Sequence, residues 1–162
     1  MSKLLTAIVI FSMFGSAYAI SFGAGGEYRN LLVDGVDANP GIVADVYFKM
    51  LPFLGARFGI ADIDMPEGST NYTVGVHTGA DLMFFIPLQG APIDPYLLLG
   101  FTYTGNGATV IDLTGGAGVD FFFNPQFGLY LEGAINYKDI EDVDSSNPLY
   151  IGGGLKVKVP MP

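Results

Sequence analysis

The sequence predicts an all-β protein: an eight-stranded antiparallel up-and-down β-barrel that crosses a membrane with its strands. Three observations carry this. Eight segments alternate apolar and polar residues with a period of two, the mark of strands whose faces meet different solvents. The chain is 50% hydrophobic and 14% charged, with a mean hydropathy of +0.43, yet beyond its N-terminus no run approaches the roughly 20 apolar residues of a membrane helix. The longest candidate, Leu82 to Leu88, is short and is broken by Pro87. Finally, 23 glycines and 10 prolines would interrupt helices throughout.

The 162 residues suffice for one domain. The first 19 read as a signal peptide. Lys3 supplies a positive start, Leu4 to Phe14 an apolar stretch, and Ala17-Tyr18-Ala19 a small-x-small cleavage site. The mature chain is therefore expected to begin at Ile20, leaving residues 20–162 as the barrel. Loss of Lys3 takes the formal net charge from −9 to −10. So acidic a chain has no basic patch for phosphates, which argues against nucleic acid as a partner. There are no cysteines, hence no disulfide or thiol chemistry.

The eight segments follow in order. Ile20, Phe22, Ala24 and Tyr28 oppose Ser21, Glu27 and Arg29. Ile42, Ala44, Val46, Phe48 and Met50 oppose Asp45, Tyr47 and Lys49. Leu54, Ala56, Phe58 and Ile60 oppose Gly55, Arg57 and Gly59. Tyr72 to Phe84 forms one strand, with His77, Gly79 and Asp81 on its polar face. Ile93, Leu97, Leu99, Phe101 and Tyr103 oppose Asp94, Tyr96, Gly100 and Thr102. Ile111, Leu113, Ala117, Val119 and Phe121 oppose Asp112, Thr114, Gly116, Gly118 and Asp120. Phe127, Leu129, Leu131, Ile135 and Tyr137 oppose Gly128, Tyr130, Glu132, Ala134 and Asn136. Leu149, Ile151, Gly153, Leu155, Val157 and Val159 oppose Tyr150, Gly152, Gly154, Lys156 and Lys158. Each segment has about the length a tilted strand needs to cross a bilayer. The apolar face is the bulkier one, and the polar face is rich in glycine with few bulky apolar residues. A closed barrel with that apolar face outward needs lipid as its solvent.

Connections alternate in character. Asn30–Gly41, Asp62–Asn71, Thr104–Ala108 and Lys138–Pro148 are long or polar, whereas Leu51–Phe53, Pro87–Pro92 and Asn124-Pro125 are tight or apolar. This matches long extracellular loops and short periplasmic turns. Tyr28, Tyr72, Tyr103 and Tyr137 fall on the lipid face beside the long loops. Phe22, Phe48, Phe84, Phe121 and Phe127 fall on it near the short turns. Together they are expected to form two interfacial girdles.

The run Pro95-Tyr96-Leu97-Leu98-Leu99-Gly100 resembles a strand motif of the small outer-membrane β-barrel superfamily, the OmpA/OmpX-like, porin-related eight-stranded barrels. So do Gly115-Gly116-Ala117-Gly118-Val119-Asp120-Phe121, Asn124-Pro125 and Leu129 to Gly133 with Glu132. The resemblance implies an outer-membrane protein of a Gram-negative-type envelope, reached after export. Members usually end on an aromatic residue; this sequence ends Val159-Pro160-Met161-Pro162, a departure that bears on how it would be inserted.

The polar face supplies a candidate lumen charge network: Glu27, Arg29, Asp45, Lys49, Arg57, His77, Asp81, Asp112, Asp120, Glu132, Lys156 and Lys158. Eight strands enclose space for little more than side chains, and an unpaired buried charge is costly. These groups are therefore expected to pair and plug the lumen, with Glu132 facing Lys156 and Lys158 on the next strand. His77 could serve as a general base only with a nucleophile beside it; Thr78 points to the other face and no serine lies two residues away, so no enzymatic activity is expected. Asp139, Glu141, Asp142 and Asp144 offer oxygen donors of the kind Ca²⁺ takes, without the glycine and glutamate spacing of an EF-hand loop. No cofactor motif is found. The expected partners are outer-membrane lipid and lipopolysaccharide, with divalent cations at the acidic loops, and the expected state is a monomer. The principal reading is a structural or surface-interaction protein. A narrow cation-favouring pore and, more remotely, a lipid-modifying enzyme are the alternatives.

Overall fold

A computed structural model describes residues 19–29, 31, 37–65, 73–75, 79–105, 109–140 and 148–159; for 73–75, 102–105, 109–112 and 138–140 the description is of the backbone. The strands are β1 (Ala19–Arg29), β2 (Asn39–Leu51), β3 (Leu54–Asp64), β4 (Thr73–Gly75), β5 (Gly79–Phe85), β6 (Ile93–Gly105), β7 (Thr109–Phe122), β8 (Phe127–Ile140) and β9 (Leu149–Val159). All pairings are antiparallel, in the order β2-β1-β9-β8-β7-β6-β5-β3, and β2 pairs with β3 to close the circle. Both β4 and β5 pair with β3, so together they fill one of eight positions. Among the described residues the expected single fourth strand is thus represented by two segments. The register of β4 on β3 (Ile63↔Val74) is offset by one residue from that of β5 (Phe58↔Ala80).

That offset faces a β-bulge. Ala44 pairs with Ala61 and Asp45 with Gly59, so Ile60 has no partner on β2. One extra residue reverses the alternation of everything beyond it. Asp62 and Asp64, expected in a solvated loop, are therefore strand residues that point into the barrel beside Arg29.

The wall separates two environments. Leu97, Leu99, Leu131 and Leu155 are 55–60% exposed outside. Lys156, one position from Leu155, is 1% exposed, and Arg57, Asp120 and Glu132 are buried with it. A water-soluble barrel would invert this arrangement. Tyr28, Phe22, Phe84, Phe121, Phe127 and Tyr137 are exposed on the outer wall; Tyr72 and the Tyr103 side chain lie outside the described residues. Phe48 departs from the expectation. It is only 4% exposed; its partner on β3 is the small Ala56 and its ring meets Phe58 edge-on at 5.8 Å, so it does not project from the wall as a girdle residue would.

The interior is fuller than its glycine content suggests. Tyr47, Met83, Phe85, Tyr96, Leu98 and Ala134 form a buried cluster with Tyr150 packed against it. Glycine makes room for the rings. Tyr96 pairs with Gly118, where a Cβ would come within 2.5 Å of the ring, and a Cβ on Gly23 would come within 2.7 Å of Tyr47. Gly90, with φ +77°, sits at the third position of the Leu88–Ala91 turn, which requires a left-handed residue.

Gly118→Val forces a side chain into the fully packed Tyr96 ring, so it should lower stability in detergent micelles by about 1–3 kcal/mol. Gly115 lies on the outer wall with open space over it, so Gly115→Val should change stability by less than about 0.5 kcal/mol. Urea unfolding of both variants checks the contrast.

Candidate functional site

The lumen is the candidate site, and its charges form four clusters. Nearest the long loops, Arg29 on β1 bonds to Glu27 two residues away and reaches over β2 to Asp62 at 2.6 Å and Asp64 at 2.5 Å. Gly41 leaves the space its guanidinium occupies.

Arg57 on β3 occupies the middle. Its Nε donates to Asp81 at 2.6 Å, and its Nη1 donates to both Glu132 oxygens at 2.7 and 2.8 Å. Tyr96 and Tyr150 also donate hydroxyl hydrogens to Glu132, at 2.8 and 3.0 Å. Asp81 is Arg57's direct neighbour on β5. Glu132 lies on β8, four strands away in either direction around the barrel. This ion pair therefore spans the full diameter, and its charge-assisted bonds are of the strong kind.

Lys156 on β9 donates to both oxygens of Asp120 on β7 at 2.7 Å, with its ammonium 3.7 Å above the Tyr47 ring. Tyr47 donates to Asp45 at 3.3 Å. At the short-turn end, Lys49 pairs with Asp94 at 3.1 Å and lies over Phe85, while Lys158 lies 3.3 Å above the Phe122 ring. These lysines border a cavity of about 20 Å³, space for one or two waters at about 10–15 Å³ each.

Of the expected network, Glu27, Arg29, Asp45, Lys49, Arg57, Asp81, Asp120, Glu132, Lys156 and Lys158 face the lumen. His77 and the Asp112 side chain lie outside the described residues, as do the Asp139 side chain, Glu141, Asp142 and Asp144. Among the described residues, no group of three or more His, Cys, Asp or Glu is placed to hold a metal. The pairing differs from expectation. Glu132 is opposite Gly152, and Lys156 is opposite Gly128, four positions along β8; Glu132 turns to Arg57 and Lys156 to Asp120. Asp62, Asp64, Asp94 and the three tyrosines at positions 47, 96 and 150 were not anticipated as network members. Asp94 and the tyrosines share the parity of the charged face, which is the signal that could have found them.

The architecture has parallels among solved structures. It superposes on the N-terminal β-barrel domain of Pseudomonas aeruginosa OprF with a TM-score of 0.58 at 11% identity, over 88% of this chain and 98% of that one. The fold is that of the small transmembrane β-barrels. Neisserial surface protein A gives a TM-score of 0.55 at 17% identity, over 87% and 96% of the two chains. A de novo designed transmembrane β-barrel gives 0.54 at 17% identity, over 87% and 95%. No protein-family profile matches the sequence, and no curated protein matches it. No helix among the described residues is long and apolar enough to cross a membrane; in this fold the strands would do so.

Arg57→Met leaves Glu132 and Asp81 buried without their cation and should cost about 3–5 kcal/mol. Adding Glu132→Gln should restore part of that loss. Equal stability of the single and double variants in urea titrations would refute the coupling.

Proposed function

We propose that this chain is a non-enzymatic outer-membrane protein, a lipid-embedded cylinder with a sealed lumen that acts through its outer surface and loops. The observation that carries the reading is the Arg57–Glu132 pair between opposite strands, buried in tyrosines. Fixed charges of both signs across the diameter, with the tyrosine rings packed around them, leave little room for a hydrated ion among the described residues. The apolar outer wall supports lipid as the surrounding solvent, and the shared fold with the OprF domain and Neisserial surface protein A supports the outer membrane as its place. Residues 1–19 would direct export. The acidic loops would contact lipopolysaccharide through divalent cations.

In planar bilayers the protein should give no steady conductance, whereas Arg57→Ser/Glu132→Ser should leak. A steady cation-selective current from the unaltered protein would establish the pore reading instead. On gels the unheated protein should migrate differently from the boiled one, as a closed barrel does. His77→Ala should leave outer-membrane lipid composition unchanged.

A further inference from the structure

The three short turns share a chemistry that the other end of the barrel lacks. Residues 50–55, 82–93 and 121–131 contain no Asp, Glu, Lys or Arg; Lys49, Asp81, Asp94, Asp120 and Glu132 flank them, on the lumen face of their strands. Beside the uncharged polar Gln89, Asn124 and Gln126 they expose large apolar side chains: Leu51, Phe53, Ile86, Leu88 and Phe123 are 43–56% exposed. An aqueous turn of two to seven residues would instead favour polar and charged side chains.

The backbone of the third turn points the same way. In hydrocarbon every N–H must find a protein acceptor, and in water it need not. Around 123–127 the requirement is met in full. Phe122 donates to the Pro92 carbonyl at 2.9 Å, and Phe123 and Asn124 donate to the Phe127 carbonyl at 3.2 and 3.4 Å. Pro125 has no N–H, and Gln126 and Phe127 both donate to Asn124 Oδ1, at 2.8 and 2.7 Å. The Gln126 carbonyl accepts from the Lys158 N–H at 2.7 Å. At the start of the longer turn, Phe85 at the end of β5 and Ile86 donate to the Phe53 and Pro95 carbonyls at 2.9 and 2.8 Å, and Ala91 donates to the Leu88 carbonyl at 3.5 Å; the Leu88, Gln89 and Gly90 N–H groups at its tip have no backbone acceptor among the described residues and would face the headgroup side. Pro52, Pro87 and Pro92 remove three further donors.

From these observations we infer that the short-turn rim is a lipid-contacting surface, sunk into the acyl-chain side of the membrane interface and not projecting into water. The occupant of this surface is bilayer lipid, because on its outer face the rim continues the apolar wall, while Lys49, Asp94, Asp120 and Lys158 beside it line the lumen cavity. Membrane contact then extends around the end of the barrel, and the wetted groups at that end are those inside the lumen. The inference rests on the membrane reading above and adds the depth at which the barrel sits.

The absence of cysteine permits a direct test with the full-length chain refolded in phosphatidylcholine–phosphatidylglycerol vesicles. Single substitutions Phe53→Cys, Phe123→Cys, Leu131→Cys on the wall and Asp37→Cys near the long loops would carry an environment-sensitive fluorophore. Quenching by nitroxide lipids labelled near the glycerol backbone is compared with quenching by aqueous iodide. The Phe53 and Phe123 labels should be quenched by the nitroxide lipids as the Leu131 label is, and by iodide several-fold more slowly than the Asp37 label. Iodide-accessible turn labels beside a lipid-quenched Leu131 label would overturn the inference and leave the membrane reading intact. An iodide-accessible Leu131 label would overturn the membrane reading itself. Shielding of the turns that disappears as protein is diluted into lipid would identify a second copy as the occupant, and would also overturn the inference.

Discussion

Nine residue pairs between β1 and β9, from Ile20↔Val159 to Tyr28↔Ile151, turn a sheet into a cylinder. Without them both strands would present rows of unpaired N–H and C=O groups, which lipid cannot satisfy. With them there is an inside and an outside, and the period of two acquires its meaning. Every other side chain is committed to lipid, and its neighbours to a space that only side chains can fill.

That space governs the residues within it. Large rings and ion pairs fit because facing positions are small: Gly118 beside Tyr96, Gly23 beside Tyr47 and Gly41 beside Arg29. The glycines of the polar face are therefore the negative of the tyrosines and of the guanidinium. Burial raises the cost of leaving any of these charges alone, and the tyrosine hydroxyls on Glu132 complete its hydrogen bonding around the Arg57 contact.

Most of the fold was legible in the sequence, because a strand seen from its residues is a strict alternation. The side of the wall on which Lys156 or Leu155 lies needs no further information. The partner of each charge was not legible. It depends on the stagger of strands around the cylinder, so Glu132 meets an arginine 75 residues away instead of a lysine on the adjacent strand. The bulge at Ile60 was hidden for a related reason. Gly59-Ile60-Ala61 continues the alternation on paper, and only pairing with β2 exposes the extra residue that brings Asp62 and Asp64 inward. Phe48 shows the limit of parity alone, which gives a direction but not whether a ring ends up exposed or covered by its neighbours.

The diametric placement of Arg57 and Glu132 also has a consequence in time. Two strands on opposite sides of a cylinder come within reach of each other only when the circle between them is nearly complete. The ion pair can therefore contribute little to the early steps of assembly and acts on the finished barrel as a latch. Interactions absent from the transition state slow unfolding without speeding folding. The lifetime of the inserted protein, more than the ease of reaching it, is what this contact controls.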